Sequence, residues 1–422
     1  MELKYGKRKV NLDINGFKSL KILLPDEKEG LEEPFKGVEA SLQSPIGTPP
    51  LRKMLENKKP EKIVIVVNDI TRPTPYEYIL PPLLDQLHNA GVKKEQITFI
   101  IATGIHEPHT EEQNVQIFGR DIVNDYRFIS HDPDDNLVDL GTLPSGNSLL
   151  VNKNVAEADF VITTGLITPH YFATYSGGRK SILPGVCGRK TIQENHSLMV
   201  DLFDRDLPLA DNPINLDMID AARRVNVNFI LNVVTNSRKE IVEVVAGELV
   251  KAWQQGVEIS AGMYRVPVER KSDVTIVSAG GFPKDINMYQ AQKALDNANK
   301  VTRDGGVILF LAECSMGLGE PTFAEWMEEA GEPRDIIDRI TEEFVLGGHK
   351  AFAIARVVED KEVILISDLD QKTTESLFFK KADSLEEGLK YIAAKKGQDC
   401  FEDCFTVIMP EGALTVPLVQ HH

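Results

Sequence analysis

The sequence predicts an α/β protein made of two α/β domains with largely parallel sheets and an active-site cleft between the domains, and three observations carry that expectation. Apolar, β-branched runs at 63–67 (IVIVV), 97–102 (ITFIIA) and 159–165 (DFVITTG) each stop at a polar or glycine-rich turn, as buried parallel strands do. Stretches of helical composition separate them, which is the alternation that builds βαβ units. At 422 residues the chain exceeds one ordinary domain, and SDVTIVSAGG (272–281) restarts the pattern after a long helix at 248–263. The expected division is therefore 1–268 and 269–422.

Taken in order, the first fifty or so residues read as an N-terminal hairpin and a connection ending in the Pro/Gly-rich stretch SPIGTPP (44–50). The strand at 63–67 stops at Asn68-Asp69-Ile70-Thr71-Arg72-Pro73, where proline cannot extend a central strand. A helix over 80–89 closes at Gly91. The next strand, 97–102, ends in Thr103-Gly104-Ile105-His106, and the third ends in the loop PHYFATYSGGRKSILPG (169–185). Helical composition returns at 191–199, which carries His196, and at 215–224, while 228–234 and 241–245 read as a hairpin or adjacent strands. The second domain offers a helix at 287–300 bearing Tyr289, Gln290 and Lys293, then strands at 307–311, 363–366 and 405–409.

Composition removes several functions. A net charge of −17 argues against a nucleic-acid or anionic-membrane partner and suits a protein handling small molecules. The four cysteines (Cys187, Cys314, Cys400, Cys404) form no CxxC and imply no disulfide framework. The stretch MELKYGKRKVNLDI lacks the apolar segment of a signal peptide and no run of about 18 apolar residues occurs, so a cytoplasmic protein is expected. Cys400 and Cys404 read as parts of a helix-to-strand connection, and the terminal His421 and His422 suggest a tag remnant and receive no role.

Ligands of open parallel sheets bind beyond the carboxyl ends of the strands, so Asp69, Arg72, His106, His170 and the glycine loop should project from one sheet edge. Gly177 and Gly178 let backbone N–H groups approach an anion, and Arg179, Lys180 and Ser181 add charge and a hydroxyl. A phosphate fits that chemistry, although the spacing is not that of a P-loop, and a solvated surface turn is the alternative. Arg72 or Lys293 could clamp a carboxylate. Lys293 could equally pair with Asp296. A pair of histidines suits inversion of a stereocentre, which needs an acid/base group on each face of the carbon. Lys180 could serve as a covalent anchor or Schiff-base former.

The combination of DITR (69–72), TGIH (103–106), PHYFATYSGGRKSILPG (169–185), ENH (194–196) and YQAQK (289–293) resembles the nickel-dependent lactate racemase family across most of the chain. The resemblance implies nickel and a nickel-pincer nucleotide, a pyridinium mononucleotide whose two sulfur-bearing arms grip the metal, covalently attached to Lys180. It implies His196 as the protein's metal ligand, and His106 and His170 as the acid/base pair of a racemase or epimerase of 2-hydroxy acids. It assigns the nucleotide to Asp69, Ile70, Thr71, Arg72, Ser176, Gly177, Gly178 and Lys180, and the substrate to Arg72, Tyr289, Gln290 and Lys293. On this view 1–268 carries the cofactor and acid/base groups, and 269–422 closes the cleft and adds substrate contacts. Partners would be a 2-hydroxy acid and the maturation enzymes that assemble the cofactor, with no nucleic acid and no membrane. His349, in GGHKA, aligns where the lactate enzyme has a tryptophan and reads as a helix-start residue; a longer or more polar 2-hydroxy acid, or a sugar acid, stays open as substrate. A non-catalytic store of nickel or of the nucleotide is the alternative from another class, and a phosphoryl-transfer enzyme using the Gly-Gly-Arg-Lys-Ser loop is a third reading.

Overall fold

The structure is a computed structural model that describes residues 1–203, 205, 207–397 and 400–420, so His421 and His422 lie outside the described residues. The chain divides into two compact units, Glu27–Gly262 and Met1–Asp26 with Met263–His422.

The unit Glu27–Gly262 is built on a six-stranded sheet in the order Ile241–Gly247, Val227–Thr235, Phe160–Leu166, Ile63–Asn68, Ile97–Ala102, Arg127–Ser130. The first pair is antiparallel and every other pair is parallel. Buried on both faces, these strands need no polar alternation, which is why the sequence reads them as continuous apolar runs; Ile65, Val67, Phe99 and Ile162 are fully buried. Counted along the chain, the winding reverses between Ile63–Asn68 and Phe160–Leu166. That reversal leaves a crevice at the carboxyl ends of those two strands. The helix expected over 80–89 starts earlier, at Tyr76–Asn89, because the fully buried Tyr76 ring anchors its first turn and its hydroxyl bonds Thr164. The strand Arg127–Ser130 and the hairpin Leu137–Thr142/Ser148–Asn152 are additional to the strands read from the sequence.

The second unit has a six-stranded, wholly parallel sheet ordered Lys380–Ala382, Glu362–Ile366, Thr302–Leu311, Ser272–Ser278, Phe405–Met409, Ser19–Ile22. The N-terminal hairpin is present as Glu2–Tyr5 against Arg8–Asn11. Its unit differs from the one expected, because Ser19–Ile22 pairs with Phe405–Met409 and Leu23 N–H continues the ladder to the Ile408 carbonyl at 2.8 Å. Residues 1–26 thus belong with 263–422 and not with the segment that follows them. Local sequence carries no label for so distant a partner. Cys400 opens the short helix Cys400–Asp403, Cys404 follows it ahead of the strand from Phe405, and His349 lies in the first turn of the helix Gly348–Asp360. Among the described residues no helix is long and apolar enough to cross a membrane.

Candidate active site

The strand Ile63–Asn68 delivers Asp69 to the sheet's carboxyl edge, and its two neighbours deliver the histidines. Ile97–Ala102 lies on one side and leads to His106; Phe160–Leu166 lies on the other and leads to His170. The two imidazoles therefore leave from loops on opposite flanks of Asp69. The loops are tied together where Gly104 N–H donates to the Gly185 carbonyl at 3.0 Å.

Asp69 is 4% exposed, and its carboxylate receives His106 Nδ1–H at 2.6 Å and the Thr71 hydroxyl at 2.7 Å. Burial alone would raise this carboxyl, but the hydrogen bonds from His106 and Thr71, with the charges of His106 and Arg72, outweigh it and hold it below the usual value. With its proton committed to Asp69 through Nδ1, His106 offers Nε2 to a ligand, and about half of the side chain is open to solvent. Arg72 Nη1 rests on the Thr71 hydroxyl at 2.8 Å, so Asp69, Thr71 and Arg72 form one polar string. The Ile70 N–H is engaged within the protein, donating to His109 Nε2 at 2.9 Å. His109, whose Nδ1 lies 3.0 Å from Asn114, is a support that no sequence motif singles out.

The 169–185 loop begins as a tight ribbon, with Pro169–His170 antiparallel to Thr174–Tyr175 and Phe172 near its tip. Phe172 is the hub of this region. Its ring lies 4.7 Å from that of His196 and 4.5 Å edge-on from that of His170, and the Lys180 ammonium sits 5.3 Å from its centre. Nothing in the sequence marks Phe172 above other aromatic residues, and its role emerges from what folds around it.

His196 projects from the helix Arg189–Leu202 and is buried. Burial, with the nearby Lys180 charge adding to it, pushes its imidazole down to about 3 against the weaker effect of the Ile192 backbone, so it is neutral at physiological pH. Its Nδ1 has no well-formed hydrogen bond among the described residues. A neutral, buried imidazole is the state a metal ligand requires. Among the described residues no group of three or more His, Cys, Asp or Glu side chains is arranged to hold a metal ion.

One expectation about the glycine loop is corrected. Arg179 does not face a ligand: it is 1% exposed, lies 3.8 Å over the Trp253 ring, and donates to Asn215 Oδ1 and to the Tyr175 and Ala173 carbonyls at 2.7–2.9 Å. Its charge binds the loop to itself. Gly178 also serves packing, since its N–H donates to Asn232 Oδ1 at 2.9 Å and an added Cβ would meet Trp253 at 2.9 Å. Gly177 has φ +75° and a Cβ there would lie 2.6 Å from Ile167, so the fold demands both glycines whatever they bind. The Ser176 hydroxyl donates to the Leu166 carbonyl at 2.7 Å and accepts from Thr168 N–H. Ser181 is buried against the Thr164 carbonyl.

In the other unit, Tyr289, Gln290 and Lys293 occupy the first turns of the helix Met288–Val301. Asn287 caps it, accepting from Gln290 N–H at 3.0 Å, and Lys293 Nζ donates to Gln290 Oε1 at 3.0 Å. On the same helix Asp296 pairs with Lys300. His349 is buried beside Tyr289 and stacks on Phe344, with Nδ1 accepting from Gly347 N–H at 3.1 Å.

Comparison with known proteins agrees across both units. A family model described as the lactate racemase N-terminal domain matches residues 5–204, and one described as the lactate racemase C-terminal domain matches 268–416. A lactate racemase of Thermoanaerobacterium thermosaccharolyticum is 36% identical over 411 residues, spanning 92% of this chain and 93% of its own. One of Lactiplantibacillus plantarum is 35% identical over 370 residues, 86% of each chain. The structure of the lactate racemase apoprotein from T. thermosaccharolyticum superposes with a TM-score of 0.89 at 33% identity, covering 99% of both chains. A crystal structure of a Thermotoga maritima protein shares the fold at TM-score 0.66 and 18% identity, covering 93% of this chain and 100% of that one.

Proposed function

The chain belongs to the lactate racemase family and is an isomerase, a racemase, and we propose that it interconverts the enantiomers of a 2-hydroxy acid by way of the 2-keto acid. The observation that carries this reading is the placement of two histidines on opposite flanks of a buried carboxylate at the point where the sheet's winding reverses. In this reading His106, oriented by Asp69, takes the hydroxyl proton of one enantiomer, and His170 serves the other face, each returning a proton in the reverse direction. The assignment of Arg72, Gln290 and Lys293 to the substrate, with Tyr289 beside them, rests on arginine and lysine as carboxylate partners. Lactate is the first substrate to try, because the relatives it resembles are named for it.

A nickel-pincer nucleotide attached to Lys180 is part of the proposal. The residues fit such a group: Lys180 lies within the His170–Phe172–His196 cluster, and His196 is a neutral imidazole suited to nickel. When bound, that group supplies the acceptor and donor of the C2 hydride. Asp69 through Arg72, Ser176, Gly177 and Lys180 are assigned to its nucleotide, with Gly178 acting through loop shape. Cytoplasmic residence and cofactor maturation enzymes as partners belong to the same proposal. The test is nickel content and intact mass of protein co-produced with maturation enzymes. An adduct and bound nickel are expected in the wild type and loss of the adduct in Lys180→Ala; an unchanged adduct in that variant would contradict the tether.

A further inference from the structure

Lys350, in the first turn of the helix Gly348–Asp360, is 3% exposed. Lysine is seldom buried without a reason, because a buried ammonium gives up its hydration. Its Nζ donates to Gln292 Oε1 at 2.7 Å and lies 5.6 Å from the centre of the Tyr289 ring. Gln292 is itself fully buried, and its Nε2 has no hydrogen-bond partner among the described residues. Tyr289 and Lys293 are four residues apart on one helix and share a face, so the Lys350 ammonium is carried to the side from which Lys293 projects. Burial first, and then the Lys293 charge, push Lys350 down to about 7, with Asp296 opposing them. A buried ammonium that feels the Lys293 charge, beside a buried amide donor with no hydrogen-bond partner among the described residues, is a place where a carboxylate finds donors.

We infer that Lys350 is a second substrate-holding cation, which together with Lys293 and the Gln292 amide grips the carboxylate of the 2-hydroxy acid. The inference rests on the racemase reading given above and extends it. A carboxylate arriving between the two lysines favours the protonated form of Lys350, so binding takes up a proton wherever the free site is neutral. Of the charged groups around it, Lys293 disfavours protonation, and Asp296, itself paired with Lys300, favours it. Substrate affinity should therefore be full below a pH of about 7 and decline above it.

The experiment is steady-state racemisation by cofactor-loaded enzyme from about pH 6 to about pH 9, with wild type, Lys350→Met and Lys350→Arg. For the wild type, KM should rise by up to about tenfold per pH unit on the alkaline side. Lys350→Met, which removes a buried charge and keeps the volume, should stay folded and show a KM about tenfold higher at low pH and flat thereafter. Lys350→Arg, which cannot lose its proton, should hold a low KM into the alkaline range, and it decides the matter by itself if the methionine variant does not fold. An unaltered KM and pH profile in these variants, or a fall in kcat at constant KM, would overturn the assignment while leaving the racemase reading intact. Absence of racemisation by the wild type on a panel of 2-hydroxy acids would overturn both.

Discussion

Replacing Asp69 by asparagine removes one charge from the candidate site while keeping its shape, and its size of effect follows from the geometry. The carboxylate is 4% exposed and accepts His106 Nδ1–H at 2.6 Å, so the imidazole's tautomer and orientation depend on it. An asparagine amide can turn its NH2 toward the ring, which then carries its proton on Nε2 and is no longer a base in the direction of substrate. A hydrogen bond to a charged partner contributes roughly 1.5–3 kcal/mol, and about 1.4 kcal/mol is a factor of ten in rate, so kcat/KM should fall by about 10- to 150-fold. The His106 side chain is 46% exposed, and water can share in supporting an imidazolium, which sets the expectation well short of the ~10⁴-fold effect of the buried carboxylate in a serine protease triad. The carboxyl sits below its ordinary value, so it stays ionised above the usual carboxylate range and its contribution is lost only as pH falls through that depressed value. The loss should thus be constant across neutral pH. Initial rates from a single enantiomer, followed by chiral chromatography on preparations matched for nickel and adduct, give the measurement. A variant within about twofold of the wild type would refute the role of Asp69 in positioning His106.

The loop and the core supply further expectations. Arg179→Ala should lower stability by about 3–5 kcal/mol, since it strips donors from two carbonyls and Asn215 and opens a cavity beside Trp253; thermal unfolding reads this, and Arg179→Lys should rescue little because an ammonium lacks the fork. Gly178→Ala places a methyl 2.9 Å from Trp253 at φ +52° and should cost about 1–3 kcal/mol in the same assay. His131 is buried, with Nε2 bonded to the Cys187 carbonyl at 2.8 Å and Nδ1 facing Asn152 Nδ2 at 3.2 Å, an arrangement that suits the neutral ring. Burial holds its pKa below 6.5, so its contribution is present above that pH and is lost as pH falls toward the depressed value, by up to about 1.4 kcal/mol per unit; His131→Gln should flatten that part of the acid-unfolding curve.

Much of the first sheet is legible in the sequence because strands buried on both faces are dominated by apolar and β-branched residues, as 63–67, 97–102 and 159–165 are. The strand-end positions of Asp69, His106 and His170 follow from the same runs, since a polar residue directly after a buried strand has the sheet edge as its place. Arg179 misleads because charge in a glycine loop suggests solvent or phosphate, whereas its burial depends on Trp253, Asn215 and carbonyls distributed over distant segments. Phe172 and Lys350 are invisible for a related reason. A phenylalanine is ordinary until two histidines and a lysine fold against it, and a lysine at a helix start reads as exposed until Gln292 and Tyr289 enclose it. The edge strand Ser19–Ile22 is the topological counterpart, as its partner at Phe405–Met409 comes from the far end of the chain.

In the proposed reaction the C2 hydrogen leaves and returns as hydride while His106 and His170 handle the hydroxyl proton. Cofactor-loaded enzyme given one enantiomer of lactate deuterated at C2, in ordinary water and without NAD, tests this most directly. Equal amounts of both enantiomers with the deuterium retained is the predicted result. Racemisation with the label exchanged into solvent would contradict it, because that outcome requires a proton to be removed from carbon.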